Sequence, residues 1–156
     1  MWPFSRKQPK EQDTAESLLA SDLREVVAIE KECFGTVAMS AGDFVDLLNN
    51  GGVLQTSEDD KGRVIGYAAV APIRRGWRIK TIAVRVERRR GGVAAEFVEE
   101  LQEHLENGMR LVVTVSERNT VAHLFWRAMG FRATVKRRHY NDNSDAYVFR
   151  WERAPA

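Results

Sequence analysis

Apolar residues at helical spacing open the readable part of the chain. Leu23, Val26, Val27 and Ile29 recur three and four residues apart, and Phe34 closes the run. Glu25, Glu30, Lys31 and Glu32 fall between them, so the pattern predicts an amphipathic helix with these charges facing solvent. Ser21 is its expected N-cap and Gly35 its stop. A second helix is expected after Ser40, with Phe44, Val45, Leu47 and Leu48 apolar and Asn49-Asn50-Gly51-Gly52 ending it. The period then shortens. Residues 53–56 and 64–73 read as a strand hairpin about Asp59-Asp60-Lys61-Gly62, and residues 77–86 as the next strand. Residues 92–106 return to helix, with Val93, Phe97, Leu101 and Leu105 on one face. Residues 111–115 form a β-branched apolar run, expected as a buried strand. A helix over 119–129, closed by Gly130, and strands over 131–138 and 146–151 complete the order. The prediction is an α/β fold: a mixed, mostly antiparallel central sheet with helices on both faces. Residues 1–13, polar with two prolines, are expected to be a mobile arm, and residues 14–153 a single domain.

Composition narrows the class. The chain has 156 residues, 29% charged and 44% hydrophobic, which suits one soluble globular domain. A formal net charge of +2 makes the arginine clusters local features and does not imply nucleic-acid binding. The one cysteine, Cys33, excludes an internal disulfide and fits a reducing, cytoplasmic setting. No apolar stretch is long enough to span a bilayer, and Met1 to Lys7 lacks the apolar core of a secretory signal. No membrane or nucleic-acid partner is therefore expected; a homodimer is compatible with the sequence.

Residues 81–97 carry the most specific signal. A strand (Thr81-Ile82-Ala83-Val84) runs into a basic, glycine-bearing turn and then a helix start. The first N–H groups of a helix lack internal partners and sit at the positive end of its dipole, an arrangement that suits a pyrophosphate. The bland alternative is a solvated arginine run. The three spaced glycines of a dinucleotide site are absent, as is the Gly-Lys-Ser/Thr of a phosphate-binding P-loop. The turn fits Gln/Arg-x-x-Gly-x-Gly/Ala as Arg89-x-x-Gly92-x-Ala94, which resembles the acetyl-coenzyme A motif of the GNAT superfamily of acyltransferases. A second stretch, Asn119-x-x-Ala122-x-x-Phe125-Trp126-x-x-x-Gly130-Phe131, is similar to a later motif of that superfamily. A third, Arg137-Arg138-His139-Tyr140 with Asp145-Ala146, resembles the closing hairpin of the bacterial enzymes that acetylate the N-terminal alanine of a ribosomal protein. Ile29-Glu30-x-x-x-Phe34 is like the first helix of that group.

The resemblance implies acetyl-CoA as co-substrate and a primary amine, such as a protein N-terminus, as acceptor. It places cofactor contacts at Ile82, Ala83, Val84, Arg89, Arg90, Gly91, Gly92, Val93, Ala94, Ala95 and Asn119. A plain helix N-cap is an equal reading of Asn119. The Val84 N–H is the candidate to hold the thioester oxygen. Phe34, Val37, His139 and Tyr140 are the candidates to line the acceptor site, although Phe34 also suits the core.

The chemistry departs from the pattern. The family's basic glutamate aligns with Thr114, which is no base at neutral pH. Its proton-donating tyrosine aligns with Trp126, whose indole N–H donates a hydrogen bond without giving up a proton readily. Substitutes are Tyr140, Glu117 and, more weakly, His123 and His139. Glu117 also reads as a helix-start carboxylate, and His123 as a surface or half-buried histidine. No metal-ligand spacing and no nucleophile elbow are present, so no metal and direct transfer are expected. Two further readings stay open: a degenerate module that binds acetyl-CoA or a partner with little catalysis, and a nucleic-acid binder using Arg88-Arg89-Arg90 and Lys136-Arg137-Arg138.

Overall fold

The computed structural model describes residues 15–137 and 144–156. The expected arm, His139 and Tyr140 lie outside them. Four helices and six strands follow the predicted order: α1 (Ala15–Phe34), α2 (Ala41–Asn49), β1 (Val53–Glu58), β2 (Val64–Ile73), β3 (Gly76–Val84), α3 (Val93–His104), β4 (Arg110–Ser116), α4 (Thr120–Ala128), β5 (Arg132–Arg137) and β6 (Ala146–Glu152). Short 3-10 turns, Gly35–Val37 and Val86–Arg88, follow α1 and β3.

Two local readings are corrected. Ser21 lies inside α1 and caps nothing, because the good helix formers Ala15, Glu16, Leu18, Leu19 and Ala20 carry the helix through it. Strand β3 stops at Val84 rather than residue 86, because the Arg88 N–H donates to the Arg85 carbonyl at 2.9 Å and turns the chain. Ser40 does cap α2, and the bond is reciprocal: its hydroxyl accepts from the Asp43 N–H at 3.1 Å, and the Asp43 carboxylate accepts from the Ser40 N–H at 2.9 Å.

The sheet order is β1-β2-β3-β4-β6-β5, antiparallel except for β3 beside β4. Parallel neighbours need a crossover, and α3 supplies it. Helices α1 and α2 cover one face over β1–β3, burying Val26, Ile29, Phe44 and Leu47 against Val64, Tyr67 and Ala69. Helices α3 and α4 cover the other, where Val98, Leu101 and Trp126 pack on Ile79, Leu111, Val113 and Phe149.

Two irregularities in β3 matter for function. Its register against β2 passes from Thr81↔Ala69 to Ile79↔Val70, so Lys80 is an extra residue, a β-bulge. The bulge puts Ile79 and Thr81 on opposite faces: Ile79 packs with α3, while Thr81 bonds to Glu30 of α1. Further, β3 pairs with β4 only from Gly76↔Arg110 to Ile79↔Val113, although both strands continue. Beyond that point their facing edges are unpaired, and a gap opens between residues 80–84 and 114–116. Gly76 closes the other end, where a Cβ would lie 1.8 Å from the Arg110 carbonyl oxygen.

Candidate active site

The gap is bounded at its outer end by the start of α3. Gly92 is the N-cap, in the left-handed region at φ +80°, and no side chain caps the helix there. The first intrahelical bond is Glu96 N–H to the Gly92 carbonyl at 2.9 Å, which leaves the N–H groups of Val93, Ala94 and Ala95 at the open end of the dipole. A Cβ added at Gly92 would meet nothing within 4 Å, so the backbone there faces open space. Arg90, just ahead, is also left-handed, at φ +70°. Exposed backbone, free N–H donors, a positive dipole and the exposed Arg88, Arg89 and Arg90 together suit an anion. The cofactor residues expected from the sequence, 82–84 and 89–95, are thus contiguous along the gap edge and the helix start.

Backbone polarity inside the gap follows from the register. The Arg85 N–H donates to Ile65 of β2 at 2.8 Å, so the Val84 N–H and C=O, one residue back, point the other way, into the gap. The Val84 carbonyl accepts from the Arg89 Nε at 3.3 Å and lies 4.0 Å from the Cys33 Sγ. The Arg89 guanidinium also donates to that sulfur at 3.3 Å. Val84, Arg89 and the C-terminal end of α1 therefore meet at one point.

Beneath it lies a carboxylate that sequence periodicity assigned to solvent. Glu30 is only 2% exposed. It accepts from the Tyr67 hydroxyl at 2.8 Å, from the Thr81 hydroxyl and from the Met39 N–H at 2.9 Å. It ties α1, the α1–α2 connection, β2 and the bulged part of β3 together. Burial, with the Glu30 carboxylate second, raises the Tyr67 pKa above the ordinary tyrosine value, keeping the phenol protonated as the donor. The available signal was Glu30 beside Ile29 on the apolar stripe together with a tyrosine in a buried strand; periodicity alone does not pair them. Glu25 likewise turns inward, accepting from the Val64 N–H at 3.0 Å.

The remaining candidates lie on several elements. Thr114 lies on its β4 edge, with its hydroxyl accepting from Arg78 at 3.3 Å. Asn119 caps α4 through Oδ1, which accepts from the Ala122 N–H at 3.1 Å. Glu117 is exposed in the turn after β4, and its N–H donates to the Asp145 carbonyl at 2.8 Å. His123 is a packing residue: its Nε2 bonds the Ser116 carbonyl at 2.9 Å, and its ring sits edge-on to Tyr147 and Phe149. Trp126 is 3% exposed between Phe125 and Phe131, and packing accounts for it. Phe34 is half-buried against the α1–α2 core, while Val37 stands 44% exposed in the following turn. Among the described residues no cluster of three or more His, Cys, Asp or Glu could hold a metal ion, and no helix is long and apolar enough to cross a membrane.

Known structures share this fold. The chain resembles the ribosomal-protein-S18-alanine N-acetyltransferase of Escherichia coli, at 20% identity and a TM-score of 0.72 over 87% of this chain and 90% of that one. It resembles Ard1 of Thermoplasma volcanium at 24% identity and 0.68, covering 84% and 90%. Arabidopsis thaliana NAA60, solved in complex with acetyl-CoA, matches at 18% identity and 0.70, covering 85% and 94%. No curated protein sequence matches the chain. The acetyltransferase (GNAT) family model matches residues 10–131, most of the chain, and with the split β3–β4 pair ahead of an uncapped α3 it shows that the protein belongs to the GNAT family of acetyltransferases.

Proposed function

We propose that the protein is an acetyl-CoA-dependent N-acetyltransferase whose acceptor is a primary amine at a protein or peptide N-terminus, working inside the cell in the cytoplasm. The observation that carries this reading is the loss of β3–β4 pairing after Ile79↔Val113, directly in front of the α3 N-terminus. An unpaired strand edge takes an extended, amide-bearing arm as another strand, and the helix start takes the pyrophosphate at its end. The residues present fit that ligand. The backbone is open at Gly92, the Val93–Ala95 N–H groups and Arg89 and Arg90 would hold the phosphates, and the edge of residues 82–84 would hold the arm.

Acetyl-CoA, when bound, supplies an acyl group activated as a thioester; transfer forms a C–N bond, breaks the C–S bond and leaves the amine's proton on the thiol. The Val84 N–H, aimed into the gap, is the donor for the carbonyl oxygen. With Thr114 in place of a carboxylate, the Arg78 guanidinium at 3.3 Å is a nearby charged group. A cation there disfavours the ammonium form of the acceptor, so the amine arrives neutral without a dedicated side-chain base. Held at reacting distance, it needs little else, since positioning alone lowers a barrier by roughly 7–11 kcal/mol.

The test is calorimetric titration with acetyl-CoA, followed by turnover with N-terminal peptides. Saturable binding with turnover is expected. Binding without any turnover would favour the second reading, a module that senses the cofactor, which Thr114 in place of a base also supports.

A further inference from the structure

The sheet register places three arginines in one transverse row. Arg78 of β3 is opposite Val112 of β4, which is opposite Arg150 of β6, which is opposite Arg132 of β5. Directly paired residues share a face. The residues that flank the row settle which face: Trp77, Ile79, Leu111, Val113, Phe149 and Phe131 pack with α3 and α4, so the row lies on the opposite side. On that side α1 and α2 bury residues of β1–β3 only, and Arg132 is exposed. Arg150 is bonded to Glu152 at 2.8 Å. Arg78 donates to Thr114 at the mouth of the gap, so the row begins at the transfer point and runs away from it along the sheet.

This face is also the one by which an acceptor must arrive. The α3 side of the gap is filled by the α3 and α4 core, and the cofactor cradle lies on it. An amine reaching Val84 therefore comes over the arginine face. An extended peptide rises about 3.3 Å per residue, and adjacent rows on one face of a sheet lie about twice that apart. A peptide whose N-terminus sits level with Thr114 thus presents its second or third side chain to the row.

Resting on the transferase reading above, we propose that the preferred acceptor is a peptide N-terminus with aspartate or glutamate at its second or third residue, held by Arg78, Arg150 and Arg132. Two cations of this row, Arg150 and Arg132, touch neither the cofactor cradle nor Val84, so they can be varied without disturbing the chemistry.

The experiment uses three peptides that differ only in carrying Glu, Gln or Lys at residues two and three. Turnover efficiency is expected to fall in the order Glu, Gln, Lys. Arg150→Gln and Arg132→Gln should each lower kcat/KM for the Glu peptide about three- to tenfold, chiefly through KM, and leave the Gln peptide unchanged. Added salt should reduce the preference in the wild type. Because Arg132 is exposed, Arg132→Glu keeps the fold, which an unchanged acetyl-CoA affinity and melting temperature verify, and it should shift preference toward the Lys peptide. Equal turnover of the Glu and Gln peptides, or a Glu preference that survives Arg132→Glu and Arg150→Gln together, overturns the anionic acceptor and leaves the transferase reading standing. Acetyl-CoA binding with no turnover of any peptide overturns the transferase reading, and this proposal with it.

Discussion

Glu30→Ala tests whether the buried carboxylate organises the site. The wild-type side chain is 2% exposed and accepts three hydrogen bonds, from the Tyr67 hydroxyl, the Thr81 hydroxyl and the Met39 N–H. Removing it leaves the buried Tyr67 hydroxyl without its acceptor, at about 1–3 kcal/mol, and deprives the Met39 N–H of its own. Thr81 is half-buried, so water can replace its bond and it adds little. The space left by the side chain adds to the cost. A loss of about 3–5 kcal/mol results, a large share of the 5–15 kcal/mol that such domains have. For a chain of this length that lowers the melting temperature by roughly 6–20 °C. Glu30→Gln keeps the volume and one acceptor oxygen. The hydroxyl of Tyr67 can rotate to suit an amide but the Met39 N–H cannot, so its cost should be near 1–2 kcal/mol. Urea unfolding of both variants and of Tyr67→Phe gives the coupling directly. A positive Glu30–Tyr67 coupling above about 1 kcal/mol is expected from a double-mutant cycle. An alanine variant within 1 kcal/mol of wild type would refute the argument, because the three donors would then be finding water in a site drawn here as closed.

Gly92→Glu should abolish acetyl-CoA binding, whereas Gly92→Ala should cost only about 1–2 kcal/mol of left-handed strain, since its Cβ meets nothing within 4 Å; equal affinities by calorimetry would misplace the site. Gly76→Ala should prevent folding or cost well over 3 kcal/mol, because its Cβ would sit 1.8 Å from the Arg110 carbonyl oxygen; circular dichroism during thermal melting is the check. Ser40→Ala should cost about 1 kcal/mol. The bonds from Ser40, with Lys80 nearby, lower the Asp43 pKa below its ordinary 3.8. Its contribution is therefore complete above the unfolded value and is lost as pH falls through the depressed folded one. The stability gap between wild type and Asp43→Asn should accordingly be flat near neutral pH and vanish in acid, as denaturant titrations at several pH values will show.

Why some of this was readable in the sequence and some was not has a physical explanation. Element order was legible because each helix and strand carries its own period and its own stop, as at Ser40, Asn49 to Gly52 and Gly130. The open start of α3 was legible because it is local: Arg89, Gly92 and Ala94 lie within one turn of chain. Glu30 was misread for the converse reason. A helix face is defined by what packs on it, and the three donors that draw the carboxylate inward lie on the α1–α2 connection, β2 and β3. Periodicity counts a glutamate as polar wherever it stands. Ser21 failed similarly, since a cap residue caps only where the preceding chain is not already helical.

The gap itself has no sequence signature, yet it follows from two neighbouring irregularities. Lys80 interrupts the β2 register, and from the same residue onward β3 loses its pairing to β4. In β3 the two coincide: the extra residue displaces the N–H and C=O directions that the parallel partner β4 would need beyond Ile79. What stabilises an unpaired edge in the middle of a sheet is then the question. Here Glu30 anchors Thr81, the first residue past the bulge, and Arg89 and Cys33 gather at the Val84 carbonyl at the far end. The stretch that lacks a partner on its β4 side keeps β2 on the other and is held at both ends from the α1 side. Disturbing Glu30 should therefore weaken acetyl-CoA binding as well as stability, although the carboxylate lies on the opposite face of the sheet from the cradle. A Glu30→Gln variant that stays folded and binds acetyl-CoA at wild-type affinity would show that the open edge supports itself.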